Sequence, residues 1–221
     1  MLLLINSMIT DHQVTLIHST DNGDDLVAYM ARVSNPNNQN NTITAPKLIN
    51  YLIKHKHWSP FEMVSMCVEI ETTRSVAAQI LRHRSFSFQE FSQRYAEVTD
   101  IPTVPDLRRQ DTKNRQNSID DLNAYDVQQF QMQIQQHHDT SMWLYKQMLA
   151  AGVAKECARD VLPLSSKTKL YMHGNLRSWL TYCDLRTANG TQLEHQTIAE
   201  QCKELISLQF PKCYAAMWVS P

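Results

Sequence analysis

Leu48, Ile49, Leu52 and Ile53 recur at the three-to-four-residue interval that gathers side chains on one face of a helix. Pro46 precedes them, where a first helical turn has no N–H to lose, and the pattern stops near His57-Trp58-Ser59-Pro60. Next, Val64, Met66, Val68 and Ile70 alternate with Ser65, Cys67, Glu69 and Glu71, the period-two signature of a half-buried strand. Val76, Ala77, Ile80 and Leu81 return to helical spacing and carry the predicted helix directly into Arg82-His83-Arg84. Polar and turn-forming residues over 99–118 predict a long surface loop. A Gln-rich helix follows over 120–150, with Phe130, Ile134, Trp143, Leu144 and Met148 as its apolar contacts, ended by Ala151-Gly152. A shorter helix over 154–162 stops at Pro163, and 169–172 reads as a second, weaker strand. Helices over 176–187 and 191–209 finish the chain, and the apolar run Met1-Leu2-Leu3-Leu4-Ile5 reads as an N-terminal strand.

No repeat or low-complexity linker marks a boundary, so 1–221 is expected to form a single domain around one core. Few strands and several long helices predict an α+β fold, a small sheet covered by helices, and strands that do not alternate strictly with helices disfavour a doubly wound sheet. No apolar run approaches the roughly 18 residues of a membrane span. The five cysteines, Cys67, Cys157, Cys183, Cys202 and Cys213, are odd in number and lack C-x-x-C spacing, which fits small buried thiols in a reducing, cytoplasmic compartment.

Composition narrows the chemistry. The chain has four glycines, Gly23, Gly152, Gly174 and Gly190, where average usage gives about fifteen. Their spacing excludes both the G-x-G-x-x-G dinucleotide fingerprint and the phosphate loop, so a bound nucleotide must be gripped by side chains. With 21 basic against 22 acidic side chains, the chain as a whole has no pull toward nucleic acid or a membrane. Positive charge is instead local. Arg74, Arg82, Arg84 and Arg94 face the single acid Glu90, and residues 155–186 carry six basic groups against three acids. Arginine is the residue suited to two-pronged recognition of phosphate.

Arg82 and Arg84 on one continuous helix would diverge by roughly 200°. Either the helix ends there or two sites are served, the latter following naturally at a subunit interface. The same residues fit a solvated helix terminus, and Phe86, Phe88 and Phe91 fit a core as well as a stacking surface. Aromatics interleaved with arginines also leave open a nucleic-acid-binding module, which the neutral overall charge opposes.

Arg82-His83-Arg84, seven residues, then Ser92 resembles the R-H-R-x7-S motif of the flavin-dependent thymidylate synthases, and Arg94-Tyr95 continues the match. Ala31-Arg32-Val33-Ser34, the 55–62 block, the 158–164 block, and Asn175-Leu176-Arg177-Ser178 through Leu185-Arg186 resemble further family blocks in the family's order. The resemblance implies a homotetramer with active sites shared between subunits. It implies conversion of dUMP to dTMP with 5,10-methylenetetrahydrofolate as carbon donor and FAD relaying a hydride from NADPH. A hydroxymethylating variant of the same reaction is a nearby alternative. By resemblance, Ser34, Ser59, Arg82, His83, Arg84, Glu90, Asn175 and Arg177 contact FAD. Gln79, Arg82, Glu90, Ser92, Arg94, Arg159 and Arg186 contact dUMP, with Arg186 as the catalytic cation against the uracil ring. For Arg159 and Arg186 the alternative is a helix-surface salt bridge to Asp160 or Asp184. His57 lies in a block used near flavin and folate, but no partner completes a metal site. The chain has no Pro-Cys dipeptide, so no thiol nucleophile is expected. Gly190, Thr181 and Leu193 stand where many members have histidine, asparagine and tryptophan.

Overall fold

The structure is a computed structural model that describes residues 12–219, so the strand expected at 1–5 lies outside the described residues. Within them run β1 (Gln13–Ser19), α1 (Gly23–Ala31), α2 (Ala45–Lys54), β2 (Ser65–Thr73), α3 (Arg74–Ile80), β3 (Ser87–Glu90), and two very short strands, β4 (Arg109–Gln110) and β5 (Ser118–Ile119). They are followed by α4 (Ala124–Ala150), α5 (Lys155–Ala158), β6 (Lys167–Asn175), α6 (Leu176–Arg186), α7 (Leu193–Gln209) and α8 (Pro211–Tyr214). The chain is α+β, with a four-stranded antiparallel sheet in the order β1-β2-β6-β3 and helices packed on it.

The alternation in β2 sets the layers. Met66, Val68 and Ile70 turn inward and meet Leu170 and Met172 of β6, while α1, α2, α6 and α7 contribute Val27, Ile49, Trp179 and Ile198 to the same core. Trp179 is buried without an orphan donor because its indole N–H donates to the Met66 carbonyl at 2.9 Å. The opposite face of the sheet is polar, and Lys169 sits 3.0 Å from both Glu69 and Glu71. The weaker strand expected at 169–172 is the longer β6, between β2 and β3. Its inward positions at the two ends are Thr168 and Gly174, so alternation is visible only in the middle. The edge strands β1 and β3 and the helix α1 are absent from the sequence pattern. α1 opens with Gly23-Asp24-Asp25, which reads as a loop, yet Asp24 is buried because its carboxylate accepts from the Lys212 and Cys213 N–H groups that start α8.

Two expectations are corrected. The helix over 76–81 does not run into Arg82-His83-Arg84. α3 ends at Ile80, and turns closed by His83 N–H to the Ile80 carbonyl and Phe86 N–H to the His83 carbonyl reverse the chain. The cause is Phe86, whose buried ring packs edge-on against Trp179 at 4.8 Å and cannot reach it from a continuing helix. Gly174 makes the room, since a Cβ there would overlap the Phe86 ring. The long helix α4 does not bury Phe130, Trp143 or Leu144, which are 55%, 60% and 40% exposed. It packs through His138, Ser141, Met142 and Tyr145. The polar members of that stripe are paired: His138 with Ser165, Ser141 with the Val161 carbonyl, and Tyr145 with the Val98 N–H. Side-chain polarity alone therefore points to the wrong face.

The cysteine reading also needs correction: Cys183, Cys202 and Cys213 are buried, but Cys67 is half-buried and Cys157 exposed. All five are free thiols. Among the described residues no helix is long and apolar enough to cross a membrane.

Candidate active site

The end of α3, the end of α6 and the start of α7 converge on one corner. Arg186 closes α6 and its Nε donates to His83 Nε2 at 2.9 Å, in place of any pairing with Asp184. Nε2 of His83 is thus an acceptor, so the neutral ring carries its proton on Nδ1. The ring stands edge-on to Tyr182 at 4.9 Å. Burial first, then the Arg186 and Arg82 cations, pull the His83 pKa down to about 4. Behind it, Tyr182 Oη lies 3.1 Å from Nε2 of the fully buried His195. His195 Nδ1 meets Gln79 Oε1 at 3.4 Å, and Gln79 Nε2 donates to Gln192 Oε1 at 2.5 Å. Burial holds the His195 pKa down at about 3, again with help from Arg186.

The other candidates stand around this corner or at a distance from it. Arg82 and Arg84 are exposed in the turn after α3. Glu90, on β3, accepts from Arg74 at 2.8 Å and from the Thr168 hydroxyl at 3.0 Å, which fixes one carboxylate oxygen. Asn175 caps α6, its Oδ1 accepting from Ser178 N–H at 2.9 Å, and Arg177 pairs with Glu62. That cluster, with exposed Ser59 in the turn Ser59–Met63, lies at the opposite end of α6 from Arg186. The separation is roughly 14 Å along the helix axis, so one compact ligand cannot touch both ends. Ser34 sits in the turn after α1, beside an open cleft lined by Arg32, Thr44 and Tyr51.

Arg94 and Arg159 are brought near each other through α5. Arg94 Nη2 lies 3.0 Å from Glu156, three residues before Arg159 on the following 3-10 turn, and Arg159 makes only a 3.9 Å pairing with Asp160. The Arg94 and Glu156 side chains are 67% and 52% exposed, so this ion pair contributes little stability and both guanidiniums remain accessible. Ser92 is exposed two residues before Arg94. Of the aromatics that suggested a stacking surface, Phe86 is core and Phe88 half-buried. Phe91 and Tyr95 stay at the surface.

The 99–118 segment is not merely a loop. β4 and β5 pair as a hairpin, and Arg108, 11% exposed, reaches Glu194 at the start of α7 at 2.6 Å. Of the family departures, Gly190 lies against this hairpin, whereas Leu193 is 48% exposed and Thr181 lies in α6. Gly190 has φ +92°, a left-handed conformation that strains a histidine, and it faces Asn114 and Gln116 of the hairpin.

The family model described as thymidylate synthase complementing protein matches residues 15–212. The chain belongs to the flavin-dependent thymidylate synthase family. A probable flavin-dependent thymidylate synthase of Paramecium bursaria Chlorella virus 1 is 49% identical over 205 residues, covering 92% of this chain and 95% of the relative. A flavin-dependent thymidylate synthase of Synechocystis sp. is 48% identical over 87% of this chain and 88% of its own. Among solved structures, the UMP/dUMP methylase PolB of Streptomyces cacaoi, bound with 5-Br dUMP, superposes with a TM-score of 0.85 at 30% identity, covering 95% of this chain and 97% of that one. Within the family fold, the contributions of Tyr182, His195, Gln192 and Arg74 escape motif reading. Their only sequence signals are the Thr191-Gln192-Leu193-Glu194-His195 block and the place of Arg74 in the basic stretch.

Proposed function

We propose that this protein, as a single domain over 1–221, catalyses the reductive methylation of dUMP to dTMP, taking the carbon from 5,10-methylenetetrahydrofolate and reducing equivalents from NADPH through FAD. The observation that carries the reading is the Arg186–His83 hydrogen bond, which joins the motif histidine to the cation the family resemblance sets against uracil. His83 holds Nε of Arg186 and leaves its terminal nitrogens for the substrate. A fixed cation beside N3 and O4 favours the ionised uracil, and that negative charge makes C5 a carbon nucleophile without an enzyme thiol.

Arg94 and Arg159, with Ser92 and Gln79, suit the dianionic phosphate and ring of dUMP, because the exposed Arg94 and half-buried Arg159 guanidiniums supply paired charge-assisted donors. By the family resemblance, Arg82 and Glu90 contact both ligands. The donor set also fits a flavin dinucleotide: exposed Arg82 and Arg84 for its diphosphate, the Nδ1–H of His83, and Ser59, Asn175 and Arg177 at the far end of α6, with Ser34 as an outlying contact. When bound, FAD supplies the hydride that completes the methyl group.

The family resemblance supports active sites shared between subunits of a homotetramer. The exposed Phe130, Trp143 and Leu144 of α4 offer apolar surface for such assembly. The partners are then dUMP, folate and further copies of the chain in the cytoplasm, with no nucleic acid and no membrane.

Purified protein should show a flavin absorption spectrum and, given dUMP, methylenetetrahydrofolate and NADPH, form dTMP identified by mass spectrometry. A colourless protein that forms no dTMP overturns the reading, and 5-hydroxymethyl-dUMP as the product overturns the methylation step.

A further inference from the structure

Tyr182 is 1% exposed, and among the described residues its hydroxyl has one hydrogen-bond partner, Nε2 of His195 at 3.1 Å. If the hydroxyl only accepted there, its own buried proton would be left unpaired. It therefore donates, and Nε2 carries no proton. The imidazole, kept neutral by burial, has its proton on Nδ1 and donates it to Gln79 Oε1 at 3.4 Å. With Oε1 accepting, the Gln79 carboxamide has only one orientation. One N–H donates to Gln192 Oε1 at 2.5 Å, and the second is left over on a side chain that is only partly buried.

We propose that Tyr182 and His195 are positioning residues that lock the Gln79 carboxamide with an N–H, rather than its carbonyl, available to the substrate, so that the site selects an oxygen acceptor of the nucleotide. This rests on the dUMP reading above. A carboxamide turned over would set its carbonyl oxygen against that acceptor, replacing a hydrogen bond with a repulsion. The acceptor is either a phosphate oxygen or a uracil carbonyl oxygen, and both present the same chemistry to an amide N–H. The chain of donors also explains why a buried histidine with no charged partner stands beside a tyrosine: each sets the proton of the next.

The test is equilibrium binding of dUMP, deoxyuridine and dCMP to flavin-loaded, full-length protein. Tyr182→Phe keeps the ring that packs on His83, Phe86 and Trp179 and removes only the hydroxyl. His195→Leu removes both ring nitrogens, and His195→Asn restores a donor where Nδ1 stood. The expected result is that Tyr182→Phe and His195→Leu weaken dUMP binding by about tenfold, the scale of one hydrogen bond. Flavin content and melting temperature stay near wild type in Tyr182→Phe, and His195→Asn recovers most of the affinity. A loss shared by dUMP and dCMP and absent for deoxyuridine assigns the acceptor to the phosphate. A loss shared by dUMP and deoxyuridine but not dCMP assigns it to the uracil O4, and a loss in all three assigns it to O2. Unchanged dUMP affinity in Tyr182→Phe, or His195→Asn as weak as His195→Leu, overturns the inference alone. Wild-type protein that binds no dUMP overturns the inference and the dUMP reading together.

Discussion

His83, Tyr182, His195 and Gln79 hold one another inside the chain, whereas Arg82, Arg84, Arg94 and Arg159 stand at or near its surface with weak partners or none that bury them. The corner spends most of its hydrogen-bonding capacity internally, through two neutral histidines and a tyrosine that stays protonated, and turns outward only the Arg186 cation, the Nδ1–H of His83 and one N–H of Gln79. The rim keeps its capacity in reserve. Charged groups in a buried, preset arrangement act on developing charge without reorganising, while exposed guanidiniums lose little when they exchange a surface carboxylate for a phosphate. The two regions thus divide the work, the corner suited to activating a ring and the rim to holding anions.

The sharpest way to break this division is at Arg186. Arg186→Ala is expected to lower kcat by at least about a hundredfold while flavin stays bound, read by steady-state kinetics beside the visible spectrum. Equal loss of flavin would mean that Arg186 serves the rim rather than the corner. A smaller effect is expected from Arg94→Ala, which should raise the KM for dUMP by roughly tenfold with kcat and the melting temperature little changed. A large drop in stability would show that its pairing with Glu156 is structural.

The corner should also leave a signature in acid. His83 and His195 titrate at about 4 and about 3 in the folded chain, below the ordinary 6.5, so the unfolded chain takes up their protons first. Their contribution to stability is complete above pH 6.5 and falls as the pH drops toward 4, because protonation favours the unfolded state. Thermal melts across that range should show the decline, and His195→Asn should make it shallower. An unchanged slope in His195→Asn would place the His195 ring outside the buried network.

The sequence carries these two regions unequally. The rim is legible because arginines cluster in two short basic segments, and the Arg82-His83-Arg84 motif with Ser92 resembles one family. β2 and the helix at 45–54 are legible from periodicity, and the helices expected over 176–187 and 191–209 match α6 and α7 to within two residues. The corner is not. His195 and Tyr182 lie 13 residues apart on different helices, and only the packing of α6 on α7 joins the hydroxyl to the ring. The end of α3 is left as one of two alternatives for a related reason, because Phe86 must reach Trp179 and that requirement is tertiary. In α4 the apolar residues give the wrong face because hydrogen-bonded His138 and Ser141 are buried instead. The hairpin over 109–119 is read as loop because its strands are two residues each, too short for any period.

The proposed function includes active sites shared between subunits, and Arg186 of the corner and Arg159 of the rim are the pair on which that sharing is tested. Arg186→Ala and Arg159→Ala chains, the first nearly inactive and the second weak at dUMP concentrations well below its raised KM, should be co-expressed and the mixed oligomers purified and assayed at such a concentration. If the two arginines of one site come from different copies, random mixing should restore about a quarter of the wild-type dTMP-forming activity, since that share of sites receives both intact residues. Mixed oligomers no more active than the separate variants would contradict the account and place both arginines of each site on one chain.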